Sequence, residues 1–105
     1  VQGVVIARKS FVNEHPEAIE QFLREYEKSS AFVNENIDEA AKLIVDVGIL
    51  GNVEIAKKAI PNCNISFSKG EAMHKAVEGM LAVLFEANPK SIGGKLPDKD
   101  FYYGI

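Results

Sequence analysis

Tryptophan is absent, and cysteine occurs once, at Cys63. A single cysteine excludes an internal disulfide. With only two histidines, His15 and His74, the chain has no Cys/His set at metal-ligand spacing. Positive charge is not in excess. Twelve Lys and Arg face fifteen Asp and Glu, for a net charge of -3, and the basic residues sit beside acidic ones, so the basic face a nucleic acid requires is missing. No apolar run reaches the roughly 20 residues that would span a bilayer, and no signal peptide is visible. Cys63 reads as a small, semi-buried residue, and its solitude leaves the redox compartment open.

What is present is an ordinary globular balance, 47% hydrophobic and 26% charged over 105 residues, enough for one domain with a modest core. Val4, Val5, Ile6 and Ala7 form a continuous apolar run within Val1–Phe11. Such a run suits a strand covered on both faces, with Arg8, Lys9 and Ser10 as its exit. The chain starts on this run and not on Met. The expectation is therefore an α/β fragment, the C-terminal piece of a larger protein. It would comprise one N-terminal strand, about four helices and an irregular C-terminal tail, with 1–105 forming a single fragment of one lobe.

The first helix is expected from Pro16, with His15 at the cap position and Ile19, Phe22, Leu23, Tyr26, Ser30 and Val33 as its inner stripe, fading at Asn34–Asn36. Asn36 and Glu39 read as a capping box for a second helix, faced by Ile37, Ala40, Ala41, Ile44 and Val47 and ended by Gly48. Asn52 opens a third, with Val53, Ala56, Ala59 and Ile60 inward and Pro61 as its stop. Residues 62–67 read as extended. Ser68 and Glu71 read as a second capping box, starting a helix with the stripe Met73, Ala76, Val77, Met80, Leu81 and Leu84 and ending at Asn88-Pro89. The glycines and proline of the last residues mark a loop.

Chemistry-bearing residues are sparse. His15 reads as an exposed helix-start residue, and His74 as lying at the edge of a buried face. Glu17, Glu20, Glu25, Glu27, Asp38 and Glu39 read as solvated helix-start or polar-face carboxylates. Asp98 and Asp100 are two oxygen-bearing residues in one loop, too few for a cation site. Gly93-Gly94-Lys95 leads into Leu96-Pro97 instead of Ser or Thr, so it reads as a turn and not a phosphate loop. Ser10, Ser66, Ser68 and Ser91 lack a nucleophile-elbow setting. No nucleophile, base and orienting group can be assembled from the sequence, so no catalytic residue, metal or cofactor is expected. Phe101-Tyr102-Tyr103 reads as a clamp pinning the tail to the body, in preference to a small-molecule pocket.

Three segments carry a resemblance. Gly3 to Tyr26, G-V-V-I-A-R-K-S-F-V-N-E-H-P-E-A-I-E-Q-F-L-R-E-Y, Asn36 to Ile44, N-I-D-E-A-A-K-L-I, and Cys63 to Ala87 followed by N-P-K-S-I-G-G-K-L-P-D-K-D-F-Y-Y, together resemble the C-terminal part of a periplasmic-type solute-binding protein. The class is the one serving ABC importers of nitrate, sulfonate, taurine and pyrimidine thiamine precursors. Ile37 stands where that class usually has Pro. The resemblance implies capture of a small-molecule solute by closure of two lobes and delivery to an ABC transporter permease. It also implies a parent that is extracytoplasmic, periplasmic or held to the membrane as a lipoprotein by a lipid on an upstream cysteine. It places no ligand contact on a residue here. Two other expectations stand beside it: an enzyme of the related pyrimidine-synthesis fold, and a stand-alone helical interaction module. Studied alone, the fragment is expected to self-associate through its N-terminal strand.

Overall fold

A computed structural model describes all 105 residues. Five α-helices run in order: α1 Lys9–Glu14, α2 Pro16–Glu35, α3 Ile37–Asp46, α4 Val53–Asn62 and α5 Gly70–Ala87. Two 3-10 turns follow, at Pro89–Ile92 and Lys99–Phe101. There is no strand and no sheet. This overturns the expected α/β fragment with an N-terminal strand. Val4, Val5 and Ile6 belong to no regular element and are exposed, Ile6 to 82%. The physical reason is that a ladder needs a second strand to exchange N–H and C=O bonds, and every later segment is helix, turn or isolated coil. The expected extended segment 62–67 forms no strand either: Asn62 ends α4, Asn64 turns with φ +50°, and the Ile65 carbonyl accepts from Asn34 Nδ2 at 2.8 Å.

The helices divide the chain into two compact units. One comprises Ala7–Phe67, the other Val1–Ile6 with Ser68–Ile105. In the first, α1 and α2 are separated at His15, whose φ of −131° and ψ of 56° leave the helical region. Pro16 causes this, because its ring disfavours the helical conformation in the residue before it. The His15 N–H closes α1 on the Phe11 carbonyl at 2.8 Å. Lys9 and Ser10, expected with Arg8 as a strand exit, thus start a separate short helix.

Asn36 divides α2 from α3 in the same way, but it does not form the expected capping box. No side-chain bond caps α3. The Asn36 amide turns back, Nδ2 donating to the Phe32 carbonyl at 3.3 Å, alongside the backbone N–H bond to that carbonyl at 2.8 Å. Asn36 therefore closes α2 instead of opening α3. Asn52 behaves as a true cap, its Oδ1 accepting from the Ile55 N–H at 3.2 Å. Asn52→Ala is expected to cost the Ala7–Phe67 unit about 1 kcal/mol. Asn36→Ala should cost less, since the backbone bond to Phe32 survives. Urea titration of both variants, followed by circular dichroism, checks the order.

The core of this unit is the contact between α3 and α4. Ala40, Ala41, Ala56 and Ile60 are buried, with Phe32, Val33, Ile37, Ile44, Val53 and Ile65 packed around them. Three alanines let the helix axes come close, because contact side chains set that spacing. Gly48 ends α3 with φ +83°, and the Ile49 N–H reaches back to the Ile44 carbonyl at 3.0 Å, the left-handed closure that glycine accepts without a Cβ clash. Val47, expected in the core stripe, is the C-cap residue inside that closure and is 71% exposed. Pro61 falls within the last turn of α4 and not after it. Cys63, expected semi-buried, is exposed.

In the second unit α5 starts two residues after the expected cap. Gly70 has φ +62°, Lys69 is the cap residue, and no side chain bonds there, so the Ser68–Glu71 box does not form. Asn88 ends α5 and turns the chain: its Oδ1 accepts from the Lys90 N–H at 3.1 Å, and the Gly94 N–H bonds the Pro89 carbonyl at 2.8 Å. Gly93-Gly94-Lys95 is thus a turn. The tail, expected as plain loop, carries both 3-10 turns. No helix is long and apolar enough to cross a membrane.

Candidate functional site

Two places bring chemistry-bearing side chains together, one in each unit. The first is a shallow groove of ≈ 240 Å³ lined by Tyr26, Ser29, Ser30 and Val33 of α2 and by Ile65. Helical spacing puts 26, 29, 30 and 33 on one face of α2, and the Asn34 bond to the Ile65 carbonyl sets the opposite wall. An aromatic row borders it: Phe22 and Tyr26 have ring centroids 5.8 Å apart, and Tyr26 and Phe67 5.5 Å apart, all tilted. Three hydroxyls and two aliphatic side chains make a neutral lining that can hydrogen-bond and offer apolar contact but supplies no charge. A wider depression of ≈ 370 Å³ at the α2–α3 junction is lined by Glu35, Asn36, Ile37, Asp38 and Glu39. Its carboxylates are exposed, Glu35 at the end of α2 and Asp38 and Glu39 in the first turn of α3. Asp38 lies 3.7 Å from Lys57 Nζ, and Glu54 shares the same ammonium at 3.4 Å, exposed pairs of small worth.

The second place is the seat of His74. This residue, expected at the edge of a face, is only 6% exposed and is the one buried ionisable side chain other than Tyr102. Tyr102 covers it, ring centroids 4.4 Å apart, and is 7% exposed. Glu71 Oε1 lies 3.6 Å from Nδ1 and Glu78 Oε1 lies 3.9 Å from Nε2. The carboxylates therefore flank opposite nitrogens of one imidazole. One metal ion could take only one of those nitrogens, so the three groups do not form a single ligand set, and no cluster of three His, Cys, Asp or Glu suited to a metal occurs in the chain. Nδ1 of His74 and the hydroxyl of Tyr102 are buried without a hydrogen-bond partner.

Burial, and secondarily the Glu78 carboxylate, hold the Tyr102 phenol above its ordinary value of 10.0. The folded state thus keeps the phenol proton that the unfolded chain gives up. Its stabilising contribution is complete below pH 10 and is lost as pH rises through the higher folded value. The Val1–Ile6 and Ser68–Ile105 unit should lose stability above about pH 10, and Tyr102→Phe should remove that loss. Chemical denaturation at pH 8 and pH 11, on both proteins, checks it.

The other expected residues stay apart. His15 is exposed at the α1–α2 break, its ring 4.8 Å from Phe11. Asp98 caps the last 3-10 turn through backbone geometry alone. Of the terminal aromatics only Tyr102 is buried; Phe101 is exposed and meets it edge-on at 5.3 Å. Tyr102 is the buried member of the expected clamp. Its partner had a sequence signal: 74, 77 and 81 share a helix face with Met73, and Val77 and Leu81 were already in the inner stripe. Neither groove nor seat is marked by a motif. Comparison with protein-family models, curated proteins and solved structures found no match to this chain.

Proposed function

We propose that this chain is part of an extracytoplasmic solute-binding protein that captures a small solute and passes it to an ABC importer permease, the parent being periplasmic or lipid-anchored. The sequence segments Gly3–Tyr26 and Asn36–Ile44 suggest the class. The observation that carries the reading is uncovered apolar surface. Val4, Val5, Phe22, Leu43, Val47, Ile49 and Val83 all contribute. Surface of this kind belongs to a piece that works against further protein.

Among the solutes of that class, an uncharged pyrimidine suits the α2 groove best. Its hydroxyls and aromatic border offer hydrogen bonds and a flat apolar contact, while nitrate or a sulfonate would find no cation there. A thermal-shift series on the full-length protein tests the reading. A rise in melting temperature with pyrimidines and none with nitrate or sulfonates is expected. No shift with any of the three classes would defeat the solute-binding reading, and a shift with anions alone would defeat the assignment of the groove.

The exposed apolar surface also favours a second reading, a helical interaction module. Sedimentation of the 105-residue chain separates the two. Solute-independent assembly with a defined stoichiometry supports the module.

A further inference from the structure

We propose that the outer face of α5 pairs two copies of this chain, helix against helix and antiparallel. The inference rests on the interaction-module reading and names the partner; it does not involve the α2 groove.

A surface helix with one core to serve needs one apolar face, and α5 carries two. His74, Val77, Leu81 and Phe85 recur at helical spacing on its inner side. His74 is buried there under Tyr102, and the other three are half-buried. Ala76, Met80, Val83, Leu84 and Ala87 recur at helical spacing on a second side and are all exposed, Val83 to 66%. Ala76, Met80 and Leu84, expected in the core stripe, belong to this outer face. No charge interrupts it.

The borders of the face point to a second copy as what covers it. Lys75 and Glu86, both exposed, lie on one line along α5, about three turns apart, at one edge of the face. The opposite edge, at Met73 and Leu84, carries no charge. Glu71 and Glu78 lie against His74 instead, at 3.6 and 3.9 Å. Two helices that meet by the same face in antiparallel order set like edge against like edge, whereas parallel order crosses the edges. A two-fold axis beside Met80, midway between positions 75 and 86, therefore puts Lys75 of each copy against Glu86 of the other. One self-complementary patch then serves both copies. Parallel order would leave both charges against apolar side chains. The charges set orientation and register, and burial of Met80, Val83 and Leu84 supplies the attraction. The face of this 18-residue helix, about 27 Å long and one helix wide, is smaller than the about 800 Å² per partner of a standard interface. Pairing is therefore reversible and depends on concentration.

Sedimentation equilibrium of the 105-residue chain over a range of concentrations tests it, with circular dichroism as the check that each variant is folded. Wild type should pass from monomer to dimer as concentration rises, and no further. Val83→Glu, at a site exposed in the monomer, should weaken the dimer at least about tenfold, since pairing would bury an unpaired carboxylate. Lys75→Glu sets carboxylate against carboxylate twice and should weaken it about fivefold or more. Adding Glu86→Lys to that variant should restore pairing, because the exchanged charges match again. A chain that stays monomeric at every concentration overturns both the proposal and the module reading. An assembly that Val83→Glu leaves intact overturns the proposal while the module reading stands, since another surface would then hold the copies. Failure of Glu86→Lys to restore pairing overturns the antiparallel contact.

Discussion

Replacing Ile60 with alanine is expected to unfold the Ala7–Phe67 unit or leave it on the edge of folding. Ile60 is the only large side chain among the four buried residues of that core; the other three are alanines. At 4% exposure its truncation removes apolar contact and leaves a void between α3 and α4, a loss of about 2–5 kcal/mol. A unit of this size has few kcal/mol to lose. Ile37, Ile44 and Val53 are only half-buried, so they can shift inward but cannot fill the space without uncovering themselves. The measurement is a urea titration followed at 222 nm. A cooperative transition displaced by less than 1 kcal/mol would mean that the α3–α4 contact does not hold the unit together.

The second large effect comes from adding volume. Ala41 and Ala56 are both fully buried, at 0% exposure, so a leucine at 56 has no cavity to enter. Either α3 and α4 separate or the new side chain leaves its favoured rotamer, at about 1–3 kcal/mol. Ala31→Leu, at an exposed site on α2, is the control and should stay within about 0.5 kcal/mol of wild type. If both leucines are tolerated alike, the helices are not in close contact at Ala56 and the core description fails. The two substitutions press the same interface from opposite sides, so together they distinguish a tight helix pair from a loose one.

The parts of this fold legible in the sequence were those set by neighbours along the chain. Pro16 opens α2, Asn52 caps α4, Gly48 closes α3 and Asn88 closes α5, each by a bond or steric effect spanning five residues or fewer. The inner faces of α3 and α4, Val47 excepted, followed from helical spacing alone. Asn36 misled because an amide at a helix–helix junction has two ends to serve. Its side chain took the Phe32 carbonyl behind it, not the N–H groups ahead, and sequence pattern does not rank those choices. Ser68 misled because Gly70 takes a left-handed conformation that moves the helix start past it.

The groove on α2 was half legible. Tyr26, Ser30 and Val33 stood in the stripe, but the wall at Ile65 depends on a bond from Asn34 across 31 positions of sequence. Nothing in the spacing of Tyr102 announces His74 as its partner.

By itself the sequence determined a helix-rich chain, most helix ends and which residues face inward on α3 and α4, because these depend on local hydrogen bonds and on period. Only the tertiary structure decided the fate of Val1–Ala7. Its β-branched run has the composition of a strand, but strand formation is a property of two chain segments, and the second segment is not in this fold. The same holds for His74. Whether an imidazole on a helix is wet or buried depends on what lies over it, and a tyrosine 28 positions later does.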